Sequence, residues 1–556
     1  MQAYGGDRYQ IGTIVLGLIM VKIILLFVLA WNSLFVMDEF GQLGYAKYLF
    51  RELFDTIQPS KAAGSTAFFK LAHLVGWDAT SILLVGRIQT ALLGCAIVAM
   101  VYACARALGE DRVRALSIVL VLLCFSNFME RVFRTIAEPL AVFFAVAALL
   151  VVVRAHALRA RHVLAAGVLS GLAFLATQKS VYFNVALGLG LFTDAAMMRR
   201  YSTGLARGAC LVLGWTLSIL AYCFVFGGSN PVPIAESLVF GPIEVATRGG
   251  VEYGGLRHLV LQTLLRNVVL YVFCFSGMAL SLMRFRQLEE RNRIALIFSI
   301  VITVLVFIHD QPWPYVFIMA LPFMSLWSLA PLDRIVANTR HFRIASVALV
   351  TAVVLSFVSN IVYLRFNNAA QLELVARAES LLAPGDRYFD GIGMLPNRSE
   401  PSTLWLDRHY VLATLRQGDR SEAYEVFSKS PPKMILWSYR TEYIYPVIAP
   451  LIRNSYVTVA PNLRIAGRRL YLDEQEVFDV PFPSVYGLYS ATGTPLRGAV
   501  DIDGTVFDRP VHLSSGPKTV ILRMGSGEAL LLPQGSYAGR FKHGTDNLSM
   551  FANAYD

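Results

Sequence analysis

The chain has 556 residues, of which 56% are hydrophobic and only 16% are charged, and its mean hydropathy is +0.54. Soluble domains carry about 25% charged residues, so this composition excludes an ordinary soluble enzyme and a disordered chain. The net charge of +11 would suggest a nucleic-acid partner in a soluble protein. Here the excess is better explained by basic loops that set membrane topology, and we predict no nucleic-acid partner.

Apolar runs of membrane-spanning length recur along the first 365 residues and predict a multi-pass α-helical membrane protein. The first run is too long for a cleavable signal peptide and is interpreted as a signal anchor. We place about 11 spans at 11–37, 80–105, 113–128, 136–153, 162–177, 181–198, 208–228, 258–283, 294–309, 315–331 and 344–364.

The arginine distribution orients these spans. With the N-terminus in the cytoplasm, sixteen arginines fall in the cytoplasmic connections and only five basic residues fall in the short outer ones. This asymmetry fits the positive-inside rule. It predicts a transmembrane domain at 1–365 and a soluble domain at 366–556 on the outer side.

Two outer connections are too long to be simple turns. The first covers about 38–79, and its segments Leu43–Phe54 and Thr66–Val75 have the apolar spacing of amphipathic helices lying on the membrane. The second, 229–257, is rich in glycine and proline and is predicted to be a lid or gate.

The soluble domain is predicted to be α/β in its first half and antiparallel β in its second. Turn residues separate short apolar runs across 474–535, which is typical of a small β unit. The first half alternates helix and strand patterns at Gln371–Leu382, Arg387–Ile392, Arg408–Ser428 and Lys433–Trp437.

Two adjacent carboxylates, Asp38 and Glu39, follow the first span at the outer membrane edge. One can act as a general base on an acceptor, while the other binds a cation or orients the acceptor. Neighbouring side chains point in different directions, so a shared task is not expected. The alternative interpretation is an interfacial charge pair that ends a helix.

The second outer loop contains Arg131 and Arg134, which are three residues apart and therefore share a helical face. Two such arginines suit a phosphate, which guanidinium groups grip through paired hydrogen bonds. Contact with lipid headgroups is the alternative. Glu138 lies four residues after Arg134 and is expected to pair with it.

Further candidates lie in the other outer connections. Lys179, next to Tyr182, can neutralise a phosphate or extend toward the headgroups. His309 and Asp310 can bind a phosphate, a sugar hydroxyl or a metal, and the nearby Tyr315 can stack on a sugar or belong to the interfacial aromatic belt. Two cations within the spans, Lys22 and Arg87, are expected to be paired inside the bundle or, for Arg87, to line a wet cavity.

All of the outer candidates map to one face, which strengthens each of them as part of a functional site. A transporter or flippase is the alternative to an enzyme, because it too would need outer basic residues and a gate. Transporters place polar groups near the bilayer midplane and carry matched broken helices, neither of which is prominent in this sequence.

This layout resembles the GT-C glycosyltransferases, in particular the dolichyl-phosphate-mannose protein mannosyltransferases and the bacterial aminoarabinose transferases of lipid A. The resemblance rests on an acidic pair after the first span, amphipathic helices in the first outer loop and an outer C-terminal domain. The segments that carry it are FVMDEF at 35–40, Arg134 to Pro139 and His309 to Tyr315. The β-trefoil repeat of the mannosyltransferases is not found.

The resemblance implies an inverting glycosyltransferase with Asp38 as the catalytic base and Glu39 as the second candidate. The donor would be a sugar on a polyprenyl phosphate, bound by outer cations, and the acceptor a glycan, lipid or protein. No cofactor is required, although Asp310, Glu130 and Glu138 leave room for a divalent cation. Arginine-rich loops and the resemblance favour a bacterial inner membrane with a periplasmic C-terminal domain.

Overall fold

The computed structural model describes residues 3–49, 62–227, 230–232, 234–236, 238, 240, 256–336, 338–400, 414–524 and 527–551, with side chains from residue 10 onward. The described part of the first 365 residues is helical. Its α-helices are α1 Ala3–Asn32, α2 Met37–Lys47, α3 Gly64–Val75, α4 Ala79–Ala107, α5 Arg112–Cys124, α6 Ser126–Arg131, α7 Glu138–Arg154, α8 Ala160–Ala176, α9 Val181–Met197, α10 Tyr201–Gly227, α11 Arg257–Arg266, α12 Val268–Met283, α13 Glu290–Phe307, α14 Leu321–Ser325, α15 Ala330–Ile335 and α16 Thr339–Tyr363.

Five helices of the described chain are long and apolar enough to cross a membrane, and a sixth span arises if the pair α11 and α12 is counted as one. These two helices meet at an angle of 93°. Several other predicted spans are shorter helices, such as the 13-residue α5 and the 17-residue α7 and α8. The number of spans therefore stays a prediction.

The predicted span 315–331 is wrong as a single helix. It consists of a 3-10 turn at Val316–Met319, the short α14 and an irregular stretch that leads to α15. Almost every residue of this segment is buried among the other helices. Irregular backbone is tolerated at membrane depth only where protein surrounds it, which explains why an apolar sequence here is not a regular span.

The first outer loop contains helices, as predicted, although the first begins earlier than expected, at Met37 rather than Leu43. Val36 precedes α2 in extended conformation, and Asp38 and Glu39 lie in the first turn, where acidic side chains favour a helix N-terminus. The second helix, α3, closely matches the prediction. Most of the predicted gate at 229–257 lies outside the described residues.

The C-terminal region combines helices with three four-stranded sheets. Its first sheet has the order β1-β2-β4-β3, and the other two sheets, of order β10-β7-β12-β5 and β6-β11-β8-β9, enclose one apolar core. The elements are α17 Ala369–Ser380, β1 Tyr388–Phe389, α18 Glu422–Lys429, β2 Met434–Leu436, α19 Tyr439–Ile452, β3 Tyr456–Ala460, β4 Leu463–Ala466, β5 Arg468–Tyr471, β6 Gln475–Val480, β7 Ser484–Tyr489, β8 Ala499–Ile502, β9 Thr505–Phe507, β10 Val511–Leu513, β11 Gly516–Met524 and β12 Glu528–Pro533.

The C-terminal region packs directly on α2, in the connection between α1 and α4. Phe40 and Leu43 of α2 share one buried apolar cluster with Leu374 of α17 and with Met434 and Leu436 of β2. Fully burying such side chains contributes roughly 1.5–3 kcal/mol each, so this contact stabilises the position of α2.

Candidate active site

Glu39 is the centre of a fully buried charge cluster. Its carboxylate accepts hydrogen bonds from Arg87 Nε at 2.8 Å and Nη2 at 2.7 Å, and from Arg134 Nη1 at 2.8 Å. The backbone N–H groups of Val36 and Thr135 also donate to it, at 3.0 and 3.2 Å. We call Glu39, Arg87 and Arg134 the Glu39 cluster.

The Glu39 cluster holds α2 against the bundle. Arg87 belongs to α4 and also donates to the backbone carbonyls of Ser33 and Leu34, in the connection between α1 and α2. Arg134 donates in addition to the hydroxyl of Tyr363 at 2.8 Å. Thus one carboxylate ties together the end of α1, the start of α2, α4 and the loop before α7.

This geometry argues against Glu39 as the catalytic base. Burial alone would raise the pKa of Glu39, but the guanidinium groups of Arg87 and Arg134 outweigh it and hold this pKa at about 2. Both carboxylate oxygens are occupied by donors, and the side chain has no exposed surface. A carboxylate of such low basicity is a poor proton acceptor near neutral pH.

The side chain of Asp38 points in a different direction from that of Glu39, as expected for neighbouring residues on a helix. It is half-buried and lies close enough to Lys179 and Tyr315 to interact with both electrostatically. Lys179 Nζ donates to Glu138 Oε1 at 2.9 Å and lies 4.7 Å from the centre of the Tyr315 ring. Asp38, Glu138, Lys179 and Tyr315 form what we call the Asp38 cluster.

The predicted pair of Arg134 with Glu138 is wrong. Glu138 binds Lys179 and Arg134 binds Glu39. The residues from Val132 to Ala137 do not continue a helix, so the spacing of four does not bring the two side chains together. Arg134 is 1% exposed and occupied by protein groups, which leaves little of it for a phosphate.

A hydrogen-bonded pair borders the Asp38 cluster. Tyr182 Oη and His309 Nδ1 are 2.9 Å apart, and their rings meet edge to face. Asp310 is exposed and acts electrostatically on both of them. Burial and the charge of Lys179 lower the pKa of His309, so its ring is neutral at pH 7.

The remaining predicted arginine, Arg131, ends α6 and is 3% exposed. Its neighbour Glu130 is fully buried and forms a two-pronged ion pair with Arg266, one contact being 3.0 Å. Arg266 lies at the end of α11, at the sharp bend before α12, and its side chain is 40% exposed. Sequence reasoning missed Arg266, and the only signal for it was an arginine followed by asparagine inside an apolar run.

The cations within the helices are paired, as expected. Lys22 donates to Ser356 Oγ and Asn360 Oδ1 of α16, at 2.8 and 2.7 Å. Arg87 pairs with Glu39 at 2.7 Å. In the part of the chain that the structure describes, no group of three or more His, Cys, Asp or Glu side chains could hold a metal ion.

A second buried acidic pair lies in the C-terminal region. The carboxyl groups of Asp390 and Glu400 interact directly, and burial raises the pKa of Asp390 to about 6 and that of Glu400 well above its usual range. Three backbone N–H groups, those of residues 392 to 394, donate to Asp390 at 2.7 Å each. The pair lies beside the segment that contains α2, since Glu400 and Tyr388 line a small pocket together with Gly44 and Tyr48.

The arrangement of the Asp38 cluster suits acid–base and electrostatic work. A half-buried carboxylate stands near an ammonium group, a phenol and an imidazole, at the place where helices α7 and α9 begin and α13 ends. Fixed charges in a partly buried site stabilise developing charge more strongly than in water. Three of the nine predicted site residues belong to the Asp38 cluster, and three more, Tyr182, His309 and Asp310, border it. Of the other three, Glu39 and Arg134 belong to the Glu39 cluster, and Arg131 is buried at the end of α6.

The fold is similar to three solved structures. ArnT from Cupriavidus metallidurans bound to undecaprenyl phosphate aligns with a TM-score of 0.59 at 15% identity, over 81% of this chain and 97% of that chain. The apo state of that ArnT aligns with a TM-score of 0.55 at 14% identity, again over 81% of this chain and 97% of that chain. The archaeal oligosaccharyltransferase AglB from Archaeoglobus fulgidus was solved in complex with an inhibitory peptide and a dolichol-phosphate. It aligns with a TM-score of 0.50 at 12% identity, over 86% of this chain and 73% of that chain.

Two family profiles, both described as domains of unknown function, match the C-terminal region: DUF7056 at 412–465 and DUF7055 at 468–533. The second coincides with strands β5 to β12, which form the two facing sheets. No curated protein matches the chain significantly. ArnT and AglB are both GT-C enzymes, so the chain has the fold of the GT-C membrane glycosyltransferases.

Proposed function

We propose that this protein is an inverting glycosyltransferase that moves a sugar from a polyprenyl phosphate to an acceptor on the outer face of the membrane. The observation that carries the proposal is the position of Asp38. It is a half-buried carboxylate beside Lys179 at the outer end of the bundle, and its neighbour Glu39 is occupied by arginines.

In this mechanism Asp38 removes the proton from the acceptor nucleophile as that group attacks the anomeric carbon. The bond between that carbon and the phosphate oxygen breaks, and the polyprenyl phosphate leaves with the electron pair. Attack opposite the leaving group inverts the anomeric centre. Lys179 is the cation best placed to stabilise the charge that develops on the phosphate.

The Glu39 cluster supports this reaction indirectly. It fixes the first turn of α2 and thereby restricts the orientation of Asp38, which lies in that turn. A misplacement of about 1 Å can cost a hundredfold in rate, which is a reason for anchoring α2 through buried ion pairs. The mechanism uses only side chains of the chain itself. Asp310, Glu130 and Glu138, the residues considered for a divalent cation, do not form a group that could hold one, because Glu130 pairs with Arg266 and Glu138 with Lys179.

The bound lipids of the similar structures agree with this donor class. ArnT was solved with undecaprenyl phosphate and AglB with dolichol-phosphate. By analogy we propose a bacterial inner membrane, a cytoplasmic N-terminus and a periplasmic C-terminal domain for this chain.

The test is a transfer assay with the full-length protein in lipid nanodiscs. Radiolabelled sugars on polyprenyl phosphates are incubated with envelope glycans, lipids and proteins, and product linkage is read by NMR. We expect transfer with inversion of the anomeric centre. Binding of the donor without transfer to any acceptor, together with movement of the donor between leaflets, would instead show the transporter or flippase alternative.

A further inference from the structure

A buried arginine from the C-terminal region reaches the start of α2. Arg440 lies in the first turn of α19 and is only 6% exposed. Its Nη2 donates to Met37 Sδ at 3.4 Å, and its Nε donates to the hydroxyl of Tyr439 at 3.3 Å. Met37 directly precedes Asp38 in the chain, so this guanidinium contacts the residue next to the proposed base.

The guanidinium of Arg440 has no carboxylate partner in the part of the chain that the structure describes. Among the described residues no carboxylate lies within ion-pairing distance of it, and its Nη1 makes no hydrogen bond. A thioether sulfur and a phenol are weak or neutral acceptors. The other buried arginines near α2, Arg87 and Arg134, each contact a carboxylate.

The location makes this charge still more costly. A cation in the first turn opposes the helix dipole, which favours negative groups there. The N–H groups of the first turn are already satisfied, because Ser438 Oγ accepts from Arg440 N and Thr441 N at 3.1 and 3.2 Å. A buried, unpaired charge is expensive and is retained where it binds something.

The backbone holds Arg440 in place. Gly391 has a φ of +74°, and a Cβ at this glycine would lie 2.9 Å from the Cβ of Arg440. The glycine thus leaves space for the stem of the arginine, which a side chain at position 391 would occupy.

We propose that Arg440 binds an oxyanion of a substrate, a phosphate or a carboxylate, beside Asp38. The anion comes either from the phosphate of the lipid-linked donor or from an anionic group on the acceptor. This inference rests on the proposed function only in assigning the anion to those substrates. The C-terminal region then contributes directly to substrate binding.

The test compares full-length wild type with Arg440→Gln, Arg440→Lys and, as a matched control, Arg453→Gln in nanodiscs. Arg453 is an exposed arginine at the end of the same helix. Binding is measured for undecaprenyl phosphate and, as its uncharged control, for undecaprenol. The melting temperature is measured in methyl phosphate and, at equal ionic strength, in chloride.

If the anion is the donor phosphate, Arg440→Gln lowers the affinity for undecaprenyl phosphate roughly tenfold or more and leaves the affinity for undecaprenol unchanged. If it belongs to the acceptor, undecaprenyl phosphate binding is unchanged and only the stabilisation by methyl phosphate is lost. Arg440→Lys retains part of either effect, and Arg453→Gln behaves as wild type.

Equal responses of wild type and Arg440→Gln to both probes would overturn the proposal. So would a melting temperature of Arg440→Gln far below that of wild type without ligand, because removing an unbalanced charge should not destabilise the protein. Wild type that binds anions through Arg440 but transfers no sugar would refute the proposed function and leave the anion site standing.

Discussion

Replacing Glu39 by glutamine should destabilise the protein strongly. The side chain keeps its shape but loses its charge, and it leaves Arg87 and Arg134 buried without their counter-ion. Breaking a buried ion pair by removing one partner costs about 3–5 kcal/mol. The free energy of unfolding of native proteins is about 5–15 kcal/mol, so the substitution removes a large fraction of it.

The assay is the melting temperature and the fraction of monodisperse protein after purification in detergent. Glu373→Gln is the matched control, since that carboxylate forms only exposed ion pairs with Arg377 and Lys542 and should leave melting unchanged. Because the pKa of Glu39 is lowered to about 2, its contribution is complete above its unfolded pKa and is lost only as pH falls toward 2. Wild-type melting for Glu39→Gln with transfer abolished would refute this reasoning, since Glu39 would then act in the chemistry.

Two further substitutions probe the remaining charges. Lys179→Gln should lower the turnover rate about a hundredfold in a transfer assay, because the ammonium beside Glu138 is lost as the phosphate leaves; an unchanged rate would contradict that role. Glu400→Gln should flatten the decline of melting temperature with rising pH. The raised pKa values of Asp390 and Glu400 make their contribution complete at low pH, and it is lost as pH rises through those pKa values, about 6 for Asp390. An unchanged pH profile would contradict the shared acidic site.

Much of the fold was predictable because its signals are local. Membrane length and helical spacing are properties of short windows, and they identified α3 and α4 within two residues at each end. The first helix was also identified, although its bounds, Ala3–Asn32, differ from the predicted 11–37 by five to eight residues. The failure at 315–331 has the opposite cause. An apolar composition cannot distinguish a lipid-facing helix from irregular backbone that other helices surround, since both need apolar side chains.

The candidate site, too, could be predicted from the sequence only in part. Adjacent positions on a helix point apart, so the sequence alone separated the roles of Asp38 and Glu39 but did not tell which one is buried. The partners of Glu39 and Glu138 come from distant parts of the chain, and spacing rules describe only near neighbours. The proposed role of Arg440 could not be predicted for the same reason. It depends on the three-dimensional surroundings of the side chain, which include no carboxylate within ion-pairing distance among the described residues.

The measurement that tests the central claim most directly is sugar transfer by Asp38→Asn, with Asp508→Asn, an exposed carboxylate of the C-terminal region, as control. Asparagine keeps the shape of Asp38 and removes its basicity. We expect a loss of transfer of at least a hundredfold, with donor binding and melting temperature retained and the control fully active. Transfer at the wild-type rate by Asp38→Asn would contradict the account and assign the base to another group.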